Sequence, residues 1–187
     1  RHFFASVIGG IESVAHAAGY SVLVSQSNER WEEEKNIVKT MLAKKIDGLA
    51  ISLASETTDY KHFDAVISRG VPVVFFDRVP LDKRSSCVRI DNRTAAYNAV
   101  MHLIKQGCTR IVHLSGPQAI SVYKDRQDGY VQALMDSDIR VDSSLIFENS
   151  ITLATGEEAG KKILAMPVLP DAIFSAGDYS AMGVMHV

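Results

Sequence analysis

A chain of 187 residues, 47% hydrophobic and 22% charged, is long enough to bury a substantial core, and its net charge of −2 with scattered Lys and Arg leaves no basic track for nucleic acid. No apolar run approaches the roughly 18 residues of a membrane span, so no membrane partner is expected. The two cysteines, Cys87 and Cys108, have neither zinc spacing nor the number for a disulfide framework and are read as reduced thiols of a cytoplasmic protein.

Arg1-His2 leads straight into an amphipathic helix rather than a signal peptide: Phe4, Val7, Ile8, Ile11, Val14, Ala15 and Ala18 keep helical spacing, and Gly19 supplies the stop. Ser21 to Ser25 reads as a strand, and Asn28 to Lys45 as a second helix with Trp31, Ile37, Val38, Met41 and Leu42 inward. Ile46 to Leu53 is the next strand, and Tyr60 to Ser68 the next helix, closed by Gly70. Val73 to Phe76 is a continuous apolar run suited to a strand buried on both faces, and it stops at the charge pair Asp77-Arg78. A polar connector with Pro80 leads to a short apolar run, Val88 to Ile90, and to Asp91.

The second half repeats the alternation. Helices are expected over Arg93–Gln106, Asp125–Ser137 and Thr155–Met166, and strands over Arg110–Leu114, Leu145–Glu148 and Asp171–Ser175. A last helix begins near Asp178 and is still in progress at Val187. Such alternation implies parallel sheets built from right-handed crossovers. The fold class is α/β: two doubly wound parallel-sheet lobes, residues 1–90 and 91–187, read as truncated at both ends because no strand precedes the first helix.

No G-x-G-x-x-G, Walker-type phosphate loop or G-x-S-x-G elbow occurs, and the six histidines lie far apart. Neither catalysis, a metal nor a cofactor is expected. Polar groups do stand where strands end, which is where open α/β sheets bind ligands. Asp77 follows one strand, Ser115 a second and Asp178 a third, while Arg126 lies early in the helix after Ser115. A carboxylate and a guanidinium meeting across a cleft bind hydroxyls in fixed geometry. Each has a plainer alternative. Asp178 also suits a helix N-cap, Arg126 an ion pair with Asp77 or Asp125, and Asp77 a loop pair with Arg78. Phe3 and Phe4 suit ordinary core.

These pieces, taken in order, resemble the effector-binding core of lactose-repressor-type bacterial transcription regulators, which share the periplasmic-sugar-binding-protein fold. The resemblance rests on Phe3-Phe4-Ala5 with Gly10-Ile11-Glu12, Gly19-Tyr20 and Asp47-Gly48-Leu49. It continues through Val71-Pro72-Val73-Val74 with Phe76-Asp77-Arg78, and His102-Leu103-Ile104 with Gly107, Arg110-Ile111 and Gly116-Pro117. Arg126 with Gly129-Tyr130 and Ala133-Leu134, and Asp178 with Ala181 and Gly183, complete it. It implies that Asp77 and Arg126 contact a small-molecule effector, a sugar or a purine. Phe3 or Phe4 would line the pocket by stacking, and Asp178 would stand at its mouth. It further implies a homodimer and operator DNA bound only through an N-terminal helix-turn-helix headpiece absent from these residues. The runner-up is a periplasmic sugar-binding protein of a transport system. Cys108 stands where that family usually has His, and Gly177 where it commonly has Asn.

Overall fold

The computed structural model of the chain describes residues 2–80 and 86–187. Residues 81–85, the middle of the 78–91 connector, lie outside the described residues, as does Arg1. In the first half α1 spans His2–Ala17 and α2 Trp31–Ala43, followed by β1, Leu49–Ile51. A 3-10 turn, Lys61–Phe63, runs into the short α3, Asp64–Ile67, and then come β2, Val73–Phe76, and β3, Ser86–Val88. The second half contains α4 (Asn92–Lys105), β4 (Ile111–Leu114) and α5 (Ser121–Asp136). A 3-10 turn at Ser143–Leu145 precedes β5 (Ile146–Phe147), α6 (Leu153–Leu164), β6 (Ala172–Ser175) and α7 (Asp178–Met185).

The strands form two separate parallel sheets, ordered β1-β2-β3 and β5-β4-β6. In the first, Leu49 pairs with Val73 and Phe76 with Val88; in the second, Ile111 pairs with Ala172 and His113 with Ile146. Parallel pairing puts the carboxyl ends of all strands in a sheet on one side, so the residues just past Ile51, Phe76, Leu114 and Ser175 form the rims where a ligand can be met.

Val73 and Phe75 are 8% and 0% exposed, whereas Val74 is 37% exposed. The strand is therefore buried on one face, not on both as its apolar run suggested. Its buried face joins Val38, Ile51, Phe63 and Val66 in a core, where the Phe63 and Phe75 rings meet edge-on at 5.1 Å. Burying each such ring stabilises by roughly 1.5–3 kcal/mol. In the second sheet β4 is covered on both faces. Ile111 packs with Val100, Tyr130 and Leu134, and the alternate residues Val112 and Leu114 pack with Ala159 and Ile163.

Several boundaries differ from the sequence expectation. Residues 21–25 form no strand, and Leu23 and Val24 are 59% and 51% exposed. A strand exists through its ladder partner, and among the described residues this segment has none. The apolar stripe of α1 is likewise open, with Val14 73% exposed. α2 begins at Trp31 rather than residue 28 because Asn28 and Glu29 take left-handed φ of 50° and 66°. β3 ends at Val88, whose carbonyl receives the Asp77 N–H, and Ile90 lies beyond the ladder on the way to Asp91, the cap of α4. α5 starts four residues before the expected Asp125.

One glycine fixes the packing of α4 on α5. A Cβ on Gly129 would collide with the Arg93 carbonyl oxygen and stand 2.9 Å from the Ala96 Cβ and the Tyr97 nitrogen. Only the bare Cα lets the two helices approach closely enough for Arg126, one turn earlier, to reach the start of α4.

Candidate functional site

Asp77 is the first residue past β2 and sits at φ 57°, a left-handed conformation that Asp tolerates better than most side chains. Its N–H donates to Val88 O at 3.1 Å, which locks the turn onto β3. The carboxylate is half-buried and takes no hydrogen bond from the described residues. Burial pushes its pKa above the ordinary value; the charges of Arg78 and Arg126 pull the other way, and Glu29 adds to the rise. Asp77 is therefore a desolvated acceptor at a sheet rim, without a hydrogen-bond partner among the described residues. The plainer alternative, a pair with Arg78, is not formed. Arg78 instead bonds Glu29 through Nη1 and reaches Leu53 O at 3.4 Å. Burial raises the Glu29 carboxyl, but the Arg78 hydrogen bond and charge and two bonds from Ser55 outweigh it and hold the pKa below the usual range.

Arg126 comes from the other half of the chain. Its Nε donates to Asn92 Oδ1 at 2.9 Å and its Nη1 to Ala176 O, partners that are each 3% exposed. These bonds tie α5 to the start of α4 and to the rim after β6, and they orient the guanidinium plane while leaving Nη2 uncommitted among the described residues. Its charge is felt at Asp77. Neither alternative ion pair exists: Asp125 is paired with Arg89 at 3.3 Å. The Arg89–Asp125 pair and the bond from Val79 N–H to Ser121 Oγ, 3.2 Å and buried, join the two halves beside the site.

The aromatic residues form a short chain. Phe3 and Phe4 meet edge-on with centroids 5.2 Å apart, and Phe4 lies 6.3 Å from Phe76, the residue before Asp77. Phe3 is 55% exposed, so it is not core. Asp178 is exposed and opens α7, but it is not the N-cap. Gly177 holds that position, and the turn is bonded by Ser175 and Ser180, whose hydroxyls donate to Gly177 O at 2.8 and 3.0 Å. Asp178 thus stands without a side-chain partner among the described residues, two residues beyond Ala176, whose carbonyl holds Arg126. Ser115, also placed at a strand end by sequence, is wholly buried and spent on Gln127 at 2.8 Å and Gln118 at 3.0 Å. It does not face the rim.

Sequence reasoning passed over Ser52, Asn92 and Ser121. Ser52 is the first residue past β1, level with Phe76 in the β1–β2 register, and its hydroxyl oxygen is shut from solvent without a hydrogen-bond partner among the described residues. The strand-end rule applied to β1 would have found it. Asn92 and Ser121 carry no such signal, because their roles depend on packing across elements.

Histidine and metal chemistry lie elsewhere. His113 is fully buried between Tyr130 and Phe174, with ring centroids 4.9 Å away on each side. Its Nδ1 bonds Phe174 O at 3.1 Å, and burial pushes its pKa down to about 4. A carbonyl only accepts, so Nδ1 carries the proton of a neutral ring. Among the described residues no group of three or more His, Cys, Asp or Glu is placed to hold a metal ion, and no helix is long and apolar enough to cross a membrane.

A profile of the family described as periplasmic binding proteins and sugar binding domain of LacI family matches residues 1–187. The HTH-type transcriptional repressor CytR of Escherichia coli (strain K12) is 34% identical over 98% of this chain and 53% of its own length. Catabolite control protein A of Priestia megaterium is 32% identical over 98% of this chain and 55% of its own. The chain therefore spans about half the length of these relatives. Among solved structures, the transcription regulator CcpA of Lactococcus lactis superposes with a TM-score of 0.88 at 25% identity, over 100% of this chain and 67% of that one.

Proposed function

The chain belongs to the family of periplasmic binding proteins and LacI-type sugar-binding domains, and from that premise we propose that it binds a small-molecule effector between two α/β lobes and so controls operator binding by a separate DNA-binding headpiece. The lobes are residues 1–90 and 91–187. The observation that carries the reading is the pairing of Asp77, a carboxylate without a hydrogen-bond partner among the described residues, on one sheet rim with an oriented guanidinium, Arg126, beside the other, whose Nη2 those residues leave uncommitted. An effector hydroxyl donates to Asp77 while a second oxygen accepts from Arg126 Nη2. Phe3 or Phe4, continued by Phe76, offers an aromatic face to a sugar's C–H surface or a purine ring. Asp178 closes the mouth.

The work is binding, not catalysis. The protein acts in the cytoplasm as a homodimer, and because coupling is reciprocal, operator DNA alters effector affinity in the intact regulator. Regulation is favoured over periplasmic transport because the relative that is 34% identical over the aligned residues is named a transcriptional repressor, and the solved structure at a TM-score of 0.88 a transcription regulator. A thermal-shift screen of sugars and purines on the intact protein tests this. A specific ligand at 100 times its Kd stabilises by about 2.7 kcal/mol; a flat response across both classes contradicts the proposal.

A further inference from the structure

Glu34 is the one acid on the buried face of α2, 4% exposed, and a carboxylate in that setting costs several kcal/mol unless it is fully hydrogen-bonded. It is. Its Oε2 accepts the Ala54 N–H at 2.7 Å; its Oε1 accepts the Thr57 hydroxyl at 2.9 Å and lies 2.8 Å from His62 Nε2. All three partners belong to the stretch between β1 and α3, in which residues 52–60 have no regular secondary structure. One buried side chain thus organises a whole irregular segment from behind.

The far side of that segment forms the site. The Leu53 N–H donates to Arg78 O at 3.2 Å, the Arg78 guanidinium returns to Leu53 O, and the β1–β2 register sets Leu53 level with Asp77. Leu53, Thr57, Arg78 and Val79 line a small cavity with Ile120 and Ser121 of the second half. The segment is therefore a wall of the inter-lobe seam, bonded through Leu53 to Arg78, the residue after Asp77. From this geometry we infer that Glu34, with His62, is a positioning residue of the effector site: it touches no effector and holds the 53–57 wall against Asp77 and the seam. The inference rests on the proposed effector site for its functional meaning, but the wall and its effect on Asp77 are measurable without any effector.

The test is made on the intact protein with Glu34→Gln, which keeps the shape and removes the charge, and with His62→Ala and His62→Gln. Two readouts are taken: amide hydrogen exchange of residues 53–60, and the titration of Asp77 followed by carboxyl carbon NMR. Glu34→Gln and His62→Ala are expected to speed exchange in that segment tenfold or more while β4 to β6 exchange as in the wild type. They should also bring the Asp77 pKa down toward the ordinary value. His62→Gln, which restores a donor to Glu34, should recover most of both. Where Glu34→Gln does not fold, Thr57→Val gives the same two readouts with one donor removed. Unchanged exchange, or fast exchange with an unchanged Asp77 titration, overturns the inference. Failure of every sugar and purine to bind leaves these readouts as they are and counts against the proposed function alone.

Discussion

Arg126 Nε donates to Asn92 Oδ1 at 2.9 Å, so the guanidinium whose charge reaches Asp77 from the second half of the chain is aimed by the first residue of another helix. Replacing Arg126 with Ala therefore removes both the proposed ligand contact and a clasp. Effector affinity should fall by about 2 kcal/mol or more, since charge-assisted hydrogen bonds are lost. Arg126→Lys should not restore it, because an ammonium lacks the planar fork that serves Asn92, Ala176 and a ligand together. Calorimetry of the two variants with a ligand from the screen reads this directly.

In the proposed site Asp77 trades stability for binding. Its folded pKa is raised, chiefly by burial, so its contribution to stability is fully present below the unfolded value and is lost as pH rises through the folded one. Asp77→Asn should therefore match the wild type in acid and become the more stable protein as pH climbs past the ordinary 3.8. The same variant should lose effector binding. Thermal melts across pH, paired with calorimetry, separate the two effects.

His113 has the opposite pH dependence. Its folded pKa is depressed to about 4 from 6.5, so the stability it contributes is present above 6.5 and is lost as pH falls through that interval. The expected loss is about 3 kcal/mol, at 1.36 kcal/mol per unit. His113→Phe, which preserves the stack with Tyr130 and Phe174, should flatten this acid limb of the stability profile in denaturant titrations at successive pH values.

Gly129→Ala should act at a distance. The new methyl group has no space against the Arg93 carbonyl and Ala96, so α4 and α5 must separate. The cost should be about 3 kcal/mol, as for other overpacked cores. Arg126 should lose its reach to Asn92, so effector affinity should fall along with the melting temperature.

Element type and order were legible because hydrophobic period and glycine punctuation are local signals, as at Arg110–Leu114 and Gly107. That residues 21–25, expected as a strand, form none was not legible, since a strand depends on a ladder neighbour that no local pattern reveals. The site was half legible. Asp77 is marked by its place after Val73–Phe76, and Arg126 by its place early in a helix that follows a strand. That Ser115 is buried and bonded depends on where Gln118 and Gln127 fold back, and the enclosure of the Ser52 hydroxyl without a partner among the described residues is likewise set by three-dimensional packing. Asp178 illustrates the same limit: its residue type suits a cap, yet Gly177 holds that position and the serines bond the turn.

The central claim is that one small molecule is held between Asp77 and Arg126. A crystal structure of the intact protein with the strongest ligand from the sugar and purine screen tests it most directly. The expected complex has a ligand hydroxyl within hydrogen-bond distance of the Asp77 carboxylate, a ligand oxygen on Arg126 Nη2, and a ring face against Phe3, Phe4 or Phe76. A ligand bound elsewhere, with both charged groups keeping their unliganded surroundings, would contradict it.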